Sequence, residues 1–415
     1  MKKKVIILIV LTCVSLGSIA ACGEQNNNSA VTSDSETIND TEEITLLSTD
    51  STSTEYQEFI KEAEDTLNIK INLQTASANA DNRQAQFSNI LASGDTSIDV
   101  LTLNDEMMSE FKTKGYLEPI SEEVVPEDIR ATYQQNYLHS IPMENGVLYS
   151  VPFYMDIIMY WVNQSILDDA GISEIKNLDD FETLLKADYR EGVYGYGGSW
   201  ERTYAYNEIY QFVNMMGGDY LDWNNPKSKS AVKFLHDMAE HGYTPKDQLV
   251  DQYDQMEQKF MEGKYASIFM YSGAMNTFVQ ENTYGSEKIH IVPLPNFGAG
   301  KTTVAAWQYV INRSSKHKAA AERFLSWCAS DEGSIAYSRA MNRLPARIDI
   351  ANESLNIPDI DIMRSYISNY ELDAREFSST PMQSVTEMGE TFQLYITDQI
   401  SLDEFCQKAQ IIVDE

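Results

Sequence analysis

Between Glu43 and Leu103 the chain alternates segments that read as strands with segments that read as helices, and no other feature constrains its fold as much. EITLLST (residues 43–49) is strand-like, after which Tyr56, Phe59, Ile60, Ala63 and Leu67 recur at helical spacing. IKINLQT (69–75) reads as a second strand, a helix follows around residues 83–92, and IDVLTL (98–103) is a continuous apolar strand. A βαβαβ order implies an α/β fold on a mainly parallel sheet. In such sheets ligands bind beyond the carboxyl ends of the strands. Here those ends are Asp50-Ser51-Thr52 and Asn104-Asp105, short polar groups able to reach a hydroxyl. The same residue types lead the ranking of helix N-caps, so each also has a purely structural explanation.

The alternation resumes further on. Asn145-Gly146 reads as a hairpin turn, and GVLYSVPFYMDIIMYWVN (146–163) is strand-like with a single acid, Asp156. Pro226 is well placed to open a helix running to Glu240. A helix then ends at Gly263, and a strand from Tyr265 to Tyr271 delivers Tyr271 to its far end. Residues 303–311 read as a strand, residues 316–329 as a helix, and Ser401-Leu402-Asp403-Glu404 as the capping box of a last helix. Neither an internal repeat nor a polar linker divides the body, which favours two lobes joined by several short crossings over two domains in series.

The amino end is built differently. Three lysines precede an apolar, almost uncharged run from Val5 to Ala20, the pattern of a secretory signal (residues 1–21) and too short to span a bilayer comfortably. Ile19-Ala20-Ala21-Cys22 resembles the bacterial lipobox, which makes Cys22 a candidate lipid carrier. Each buried methylene of such a lipid would contribute about 0.8 kcal/mol to anchoring on the outer face of a membrane, in a Gram-positive setting. Residues 22–43 are too polar to bury a core and read as a tether. A net charge of −32 makes nucleic acid and anionic lipid poor partners. Only Cys328 and Cys406 remain in the body, both in helix-like segments, and their pairing stays open.

Patterns for catalysis are scarce. His236 and His241 lie about 140° apart around a helix and do not converge on a metal as an HExxH pair does. There is no GxSxG elbow, CxxC pair or EF-hand loop. Gly298-Ala299-Gly300-Lys301-Thr302 lacks the first glycine of a phosphate loop, Pro295 standing there, and reads as a surface turn. A carboxylate pair for glycoside hydrolysis depends on spatial separation, which counting does not give.

Aromatic residues are abundant, with 24 tyrosines and 5 tryptophans, and several fall where strands should end: Tyr154 near Asp156, Trp200 beside Glu201 in a Gly-rich loop, Tyr271 and Trp307. An aromatic ring covers the apolar face of a pyranose while carboxylates, amides and guanidinium groups bond its hydroxyl rim. The order of GVLYSVPFY (146–154), FMEGKYA (260–266), VPLP (292–295), Ala306-Trp307 and RLPAR (343–347) resembles the family 1 extracellular solute-binding proteins of carbohydrate ABC transporters, the relatives of maltose-binding protein. The likeness runs from about Glu43 to the carboxyl end.

That resemblance implies a two-lobed periplasmic-binding-protein fold of type II, with one lobe at 44–152 plus 304–345 and the other at 153–303 plus 346–415. It also implies a monomeric sugar receptor serving an ABC permease, without cofactor, metal or catalysis. Family contacts would fall on Asp50, Ser51, Asn104 and Asp105 from the first lobe, on Tyr154, Asp156, Trp200, Glu201 and Tyr271 from the second, and on Trp307 and Arg343 near the crossings. Ser272-Gly273-Ala274-Met275 stands where many members carry a tryptophan, and Ala305-Ala306 replaces a Gly-Gly pair, so the sugar subtype stays open. A surface glycoside hydrolase and a receptor for a peptide or polyamine are the competing expectations.

Overall fold

The computed structural model describes residues 42–352, 354–375, 377 and 380–415. Strands β1 (Glu43–Ser48), β2 (Lys70–Thr75) and β3 (Val100–Leu103) pair in parallel with β1 in the middle. Helices α1 (Thr54–Leu67) and α2 (Ala80–Ser93) make the two crossovers, and α3 (Asp105–Thr113) follows β3 without a break. Each starts on a polar cap: Ser53, Asn79 and Asn104 accept hydrogen bonds from the amides of Tyr56, Asn82 and Met107. Side chains alternate across this sheet as strand geometry requires. Leu46 and Val100 pack with Tyr56, Phe59 and Phe324 on one face, whereas Leu47 and Leu101 pack with Phe87 and Phe111 on the other.

A short hairpin of β4 (Met143–Glu144) and β5 (Val147–Leu148) turns on Asn145 and Gly146, whose φ angles of 51° and 81° suit a two-residue hairpin turn. Then come β6 (Val151–Asn163), β7 (Tyr194–Tyr196), β8 (Tyr265–Tyr271), β9 (Ile289–Val292), β10 (Lys301–Ile311) and β11 (Glu371–Ala374). The main sheet runs β2-β1-β3-β10-β6-β8-β7, with β11 beside β10 and β9 beside β6. The expectation of a mainly parallel sheet is corrected here. Among the strand pairings of the described residues, β1–β2, β1–β3, β7–β8 and β10–β11 are parallel, whereas every pairing of β6 and the β3–β10 pairing are antiparallel.

The reason lies in the lengths of β6 and β10, which serve both halves of the molecule. Residues 151–157 of β6 pair with β10, and residues 158–162 pair with β8. Core membership changes along the same strand: Phe153 and Tyr154 pack with α1 and Tyr309, while residues from Met155 onward pack with Trp161, Phe212 and Phe269. The result is a two-lobed α/β molecule whose lobes share two continuous strands. Helices Lys318–Ala329 and Asp331–Met341 return to the first lobe. The helix Pro381–Ile396 packs Met388 and Phe392 into the second core, yet Met382 at its start joins the core of α2 and α3. Cys328 lies in the first core and Cys406 in the second, both as free thiols. Among the described residues no helix is long and apolar enough to cross a membrane.

Candidate binding cleft

A cavity of about 370 Å³ opens where the two lobes face each other, within the size range of small-molecule sites. Its floor is one face of the shared strands. Tyr154 pairs with Trp307 and Asp156 with Ala305, so these four residues point the same way, and all line the cavity. Trp307 pairs with Tyr154 but Gln308 with Pro152, leaving Phe153 as the extra residue of a bulge.

The first lobe contributes Asp50, from the turn after β1, and Asn104, Asp105 and Glu106 at the start of α3. Asp105 is 1% exposed and accepts hydrogen bonds from Tyr137 (2.5 Å) and Gln308 (3.2 Å). Burial pushes its carboxyl up to about 7, against the pull of Arg375. The second lobe presents a wall of Tyr204, Tyr253 and Tyr271, with ring centroids 4.8 and 6.0 Å apart, and the Tyr271 hydroxyl donates to Asn207 at 3.0 Å. Asp156 accepts from the Gly273 amide (2.8 Å) and the Ser272 hydroxyl (3.1 Å), yet burial still raises it to about 6. Burial and the neighbouring Asp254 carry Glu257 to about 8.

Two arginines cross between these groups. Arg343 pairs with Asp50 at 2.7 Å, bonds the Tyr337 hydroxyl at 2.6 Å, and lies 4.5 Å from the centre of the Tyr154 ring. Arg375 stands 3.7 Å from Asp105 and 3.3 Å from Glu106 on the first lobe, and donates to Asn207 of the second at 2.5 Å. Several buried polar atoms on this wall have no hydrogen-bond partner among the described residues: Asp105 Oδ2, both oxygens of Glu106, Arg343 Nε and Arg375 Nε. Carboxylates and guanidinium groups set beside aromatic faces can hold the rim and the face of a polar ring together.

The sequence profile of the bacterial extracellular solute-binding proteins matches residues 48–335, well over half of the chain. The chain belongs to this family. Maltodextrin-binding protein MdxE of Bacillus subtilis (strain 168) is 23% identical over 264 residues, and the match spans 60% of this chain and 60% of that relative. Maltose-bound MalE3 of T. maritima superposes with a TM-score of 0.77 at 18% identity, covering 90% of this chain and 99% of its own. The ABC substrate-binding protein Lmo0181 from Listeria monocytogenes, in complex with cycloalternan, gives a TM-score of 0.77 at 17% identity, with 90% and 98% covered. At these identities the likeness establishes the two-lobed fold.

Among the residues expected at the site of this solute-binding protein, Asp50, Asn104, Asp105, Tyr154, Asp156, Tyr271, Trp307 and Arg343 come together on the cleft. Three do not. Ser51 is buried and donates to Thr75 at 3.0 Å. Trp200 is 0% exposed, packed edge-on against Phe392 in the second core. Its Gly-rich loop suggested an exposed ring, but those glycines serve close packing: a Cβ on Gly197 would fall 2.3 Å from the Tyr265 ring, and one on Gly198 2.4 Å from the Trp200 indole nitrogen. Glu201 turns back to accept from Thr203 at 2.6 Å. Cys22 lies outside the described residues. The chain's sequence gave no notice of Arg375, Glu106, Glu257, Tyr204 or Tyr253. Arg375 sits in ELDAREF, which carries no motif, and its partners are remote in sequence.

Proposed function

We propose that this protein captures a carbohydrate, an oligosaccharide, between its lobes and hands it to the permease of an ABC transporter, while a lipid on Cys22 holds it at the outer face of the cell membrane. The lobes are 44–152 with 304–345, and 153–303 with 346–415. Supporting these limits, the cores change hands between Tyr154 and Met155 and between Ala305 and Ala306. The observation that carries the carbohydrate is the cleft wall, where Tyr154, Tyr271 and Trp307 alternate with Asp105, Asp156 and Arg343. Each ring over a sugar face contributes about 1 kcal/mol beyond its area burial.

A ligand that touches both walls binds the closed form better than the open one, and that difference drives closure. Nothing in this cycle requires catalysis. A polyamine fits less well, because Asp50, Asp105 and Glu106 already face Arg343 and Arg375. A thermal-shift screen over mono- and oligosaccharides, peptides and polyamines tests the proposal. Stabilisation by a sugar alone is expected. Stabilisation only by a peptide or polyamine, or turnover of a chromogenic glycoside, overturns it.

A further inference from the structure

A second cavity of about 250 Å³ adjoins the cleft at Arg375. Tyr206, Arg375 and Val385 line both spaces, so these three side chains are all that stands between them at that point. Past them the chemistry changes. Apart from the shared residues, the second cavity is lined by Tyr210, Tyr220, Leu221, Phe377, Ile412 and Val413 with one hydroxyl residue, Ser384, drawn from separate elements that include the last helix. Tyr210 donates its hydroxyl to Asp373 at 2.7 Å, and its ring lies 4.8 Å from that of Tyr220, so Tyr210 presents its ring rather than its polar tip. Among the described residues no carboxylate lines the space, whereas the main cleft carries Asp50, Asp105, Glu106, Asp156, Asp254 and Glu257.

Among the described residues the one charged group on the second cavity is Arg375, whose charge already faces Asp105 and Glu106 and whose guanidinium lies 4.9 Å above the Tyr206 ring. An anion has little to gain there. The Nε of Arg375 differs, being buried and without a hydrogen-bond partner among the described residues, so it keeps one N–H donor unused. A neutral ether oxygen meets that donor without disturbing the ion pairs.

We propose that the second cavity is an apolar annex that takes the non-sugar end of a glycoside, an aryl or short alkyl group, with the sugar held in the main cleft and the linking oxygen at Arg375. This rests on the carbohydrate function proposed above and names a narrower ligand class for the same protein. Burying such a group against tyrosine rings and aliphatic side chains favours binding in proportion to the apolar area removed from water.

The test compares methyl and phenyl glycosides of glucose, galactose and mannose, in both anomers, by calorimetry on the full-length protein. For the sugar that binds, the phenyl glycoside is expected to bind at least tenfold more tightly than the methyl glycoside, about 1.4 kcal/mol. Ser384→Phe and Val413→Trp fill the annex from two different helices, and neither residue lines the main cleft. Either variant should bring the ratio near one while leaving the methyl glycoside unaffected. Equal affinities in the unmodified protein, or a ratio that survives in both filled variants, overturn the annex. 4-Methylphenol probes the cavity without a sugar. Binding of 4-methylphenol that both filled variants abolish, with no glycoside bound, sustains the annex and rejects the carbohydrate; binding of neither rejects the annex.

Discussion

The guanidinium of Arg375, 4% exposed, lies 3.3 Å from the carboxylate of Glu106 and so ties the segment after β11 to the first turn of α3 across the cleft. Removing one partner of a buried ion pair leaves the other charge without compensation, which typically costs about 3 kcal/mol or more. Arg375→Met should therefore lower the unfolding free energy at neutral pH by about 3 kcal/mol. Adding Glu106→Gln to the same chain should restore part of the loss. Denaturant titration of the single and double variants measures both, and a single variant as stable as the parent would falsify the strut.

Trp307 and Trp200 should part company under mutation. Trp307 lies on the cleft with the guanidinium of Arg83 at 5.7 Å from its ring, so Trp307→Ala is expected to weaken the sugar about tenfold and leave the apo melting temperature nearly unchanged. Trp200 fills the second core, and Trp200→Ala should cost about 3–5 kcal/mol of stability. Calorimetry with and without ligand separates the two effects; wild-type affinity in Trp307→Ala would remove that residue from the site.

Three cleft carboxyls make the folded protein hold protons that the unfolded chain has released: Asp156 up to about 6, Asp105 up to about 7 and Glu257 up to about 8. Excess protons on the folded state mean that stability falls as pH rises. This contribution is whole below the unfolded carboxyl values near 4 and is lost as pH passes through the folded values. The apo protein should thus lose stability from about pH 5 to about pH 8.5, and Glu257→Gln, with no proton to release, should flatten the upper end of that decline. Denaturant titrations at a series of pH values decide it, and superimposable curves would exclude Glu257.

Cys22→Ser should move the protein from the membrane fraction to the medium and leave its ligand affinity as it was. Fractionation followed by calorimetry on the released protein checks both halves. Continued membrane association would mean that something other than this thiol anchors the chain.

Local pattern carried much of the architecture. The strand Tyr265–Tyr271, the helix from Pro226 and the turn at Asn145-Gly146 all stand where apolar periodicity and backbone chemistry put them. The antiparallel joining through β6 and β10 was not legible, because strand direction across the sheet depends on partners far apart in the chain. At the cleft, residues at strand ends such as Asp50, Asn104 and Tyr271 could be picked out by position. Arg375 could not, since its meaning comes from Asp105 and Glu106, which no local pattern connects to it. Trp200 misled because glycine allows a tight approach of neighbours as readily as it allows a loose loop.

The position of β10 between β3 and β6 has a consequence for the order of assembly. As the chain emerges from its amino end, β1, β2 and β3 can pair, but the open edge of β3 has to wait for residues 301–311, which complete the first sheet. An unpaired edge of that kind invites association with other chains. The first half of this protein is therefore a poor independent unit, and truncations ending before residue 301 should aggregate where the whole chain folds.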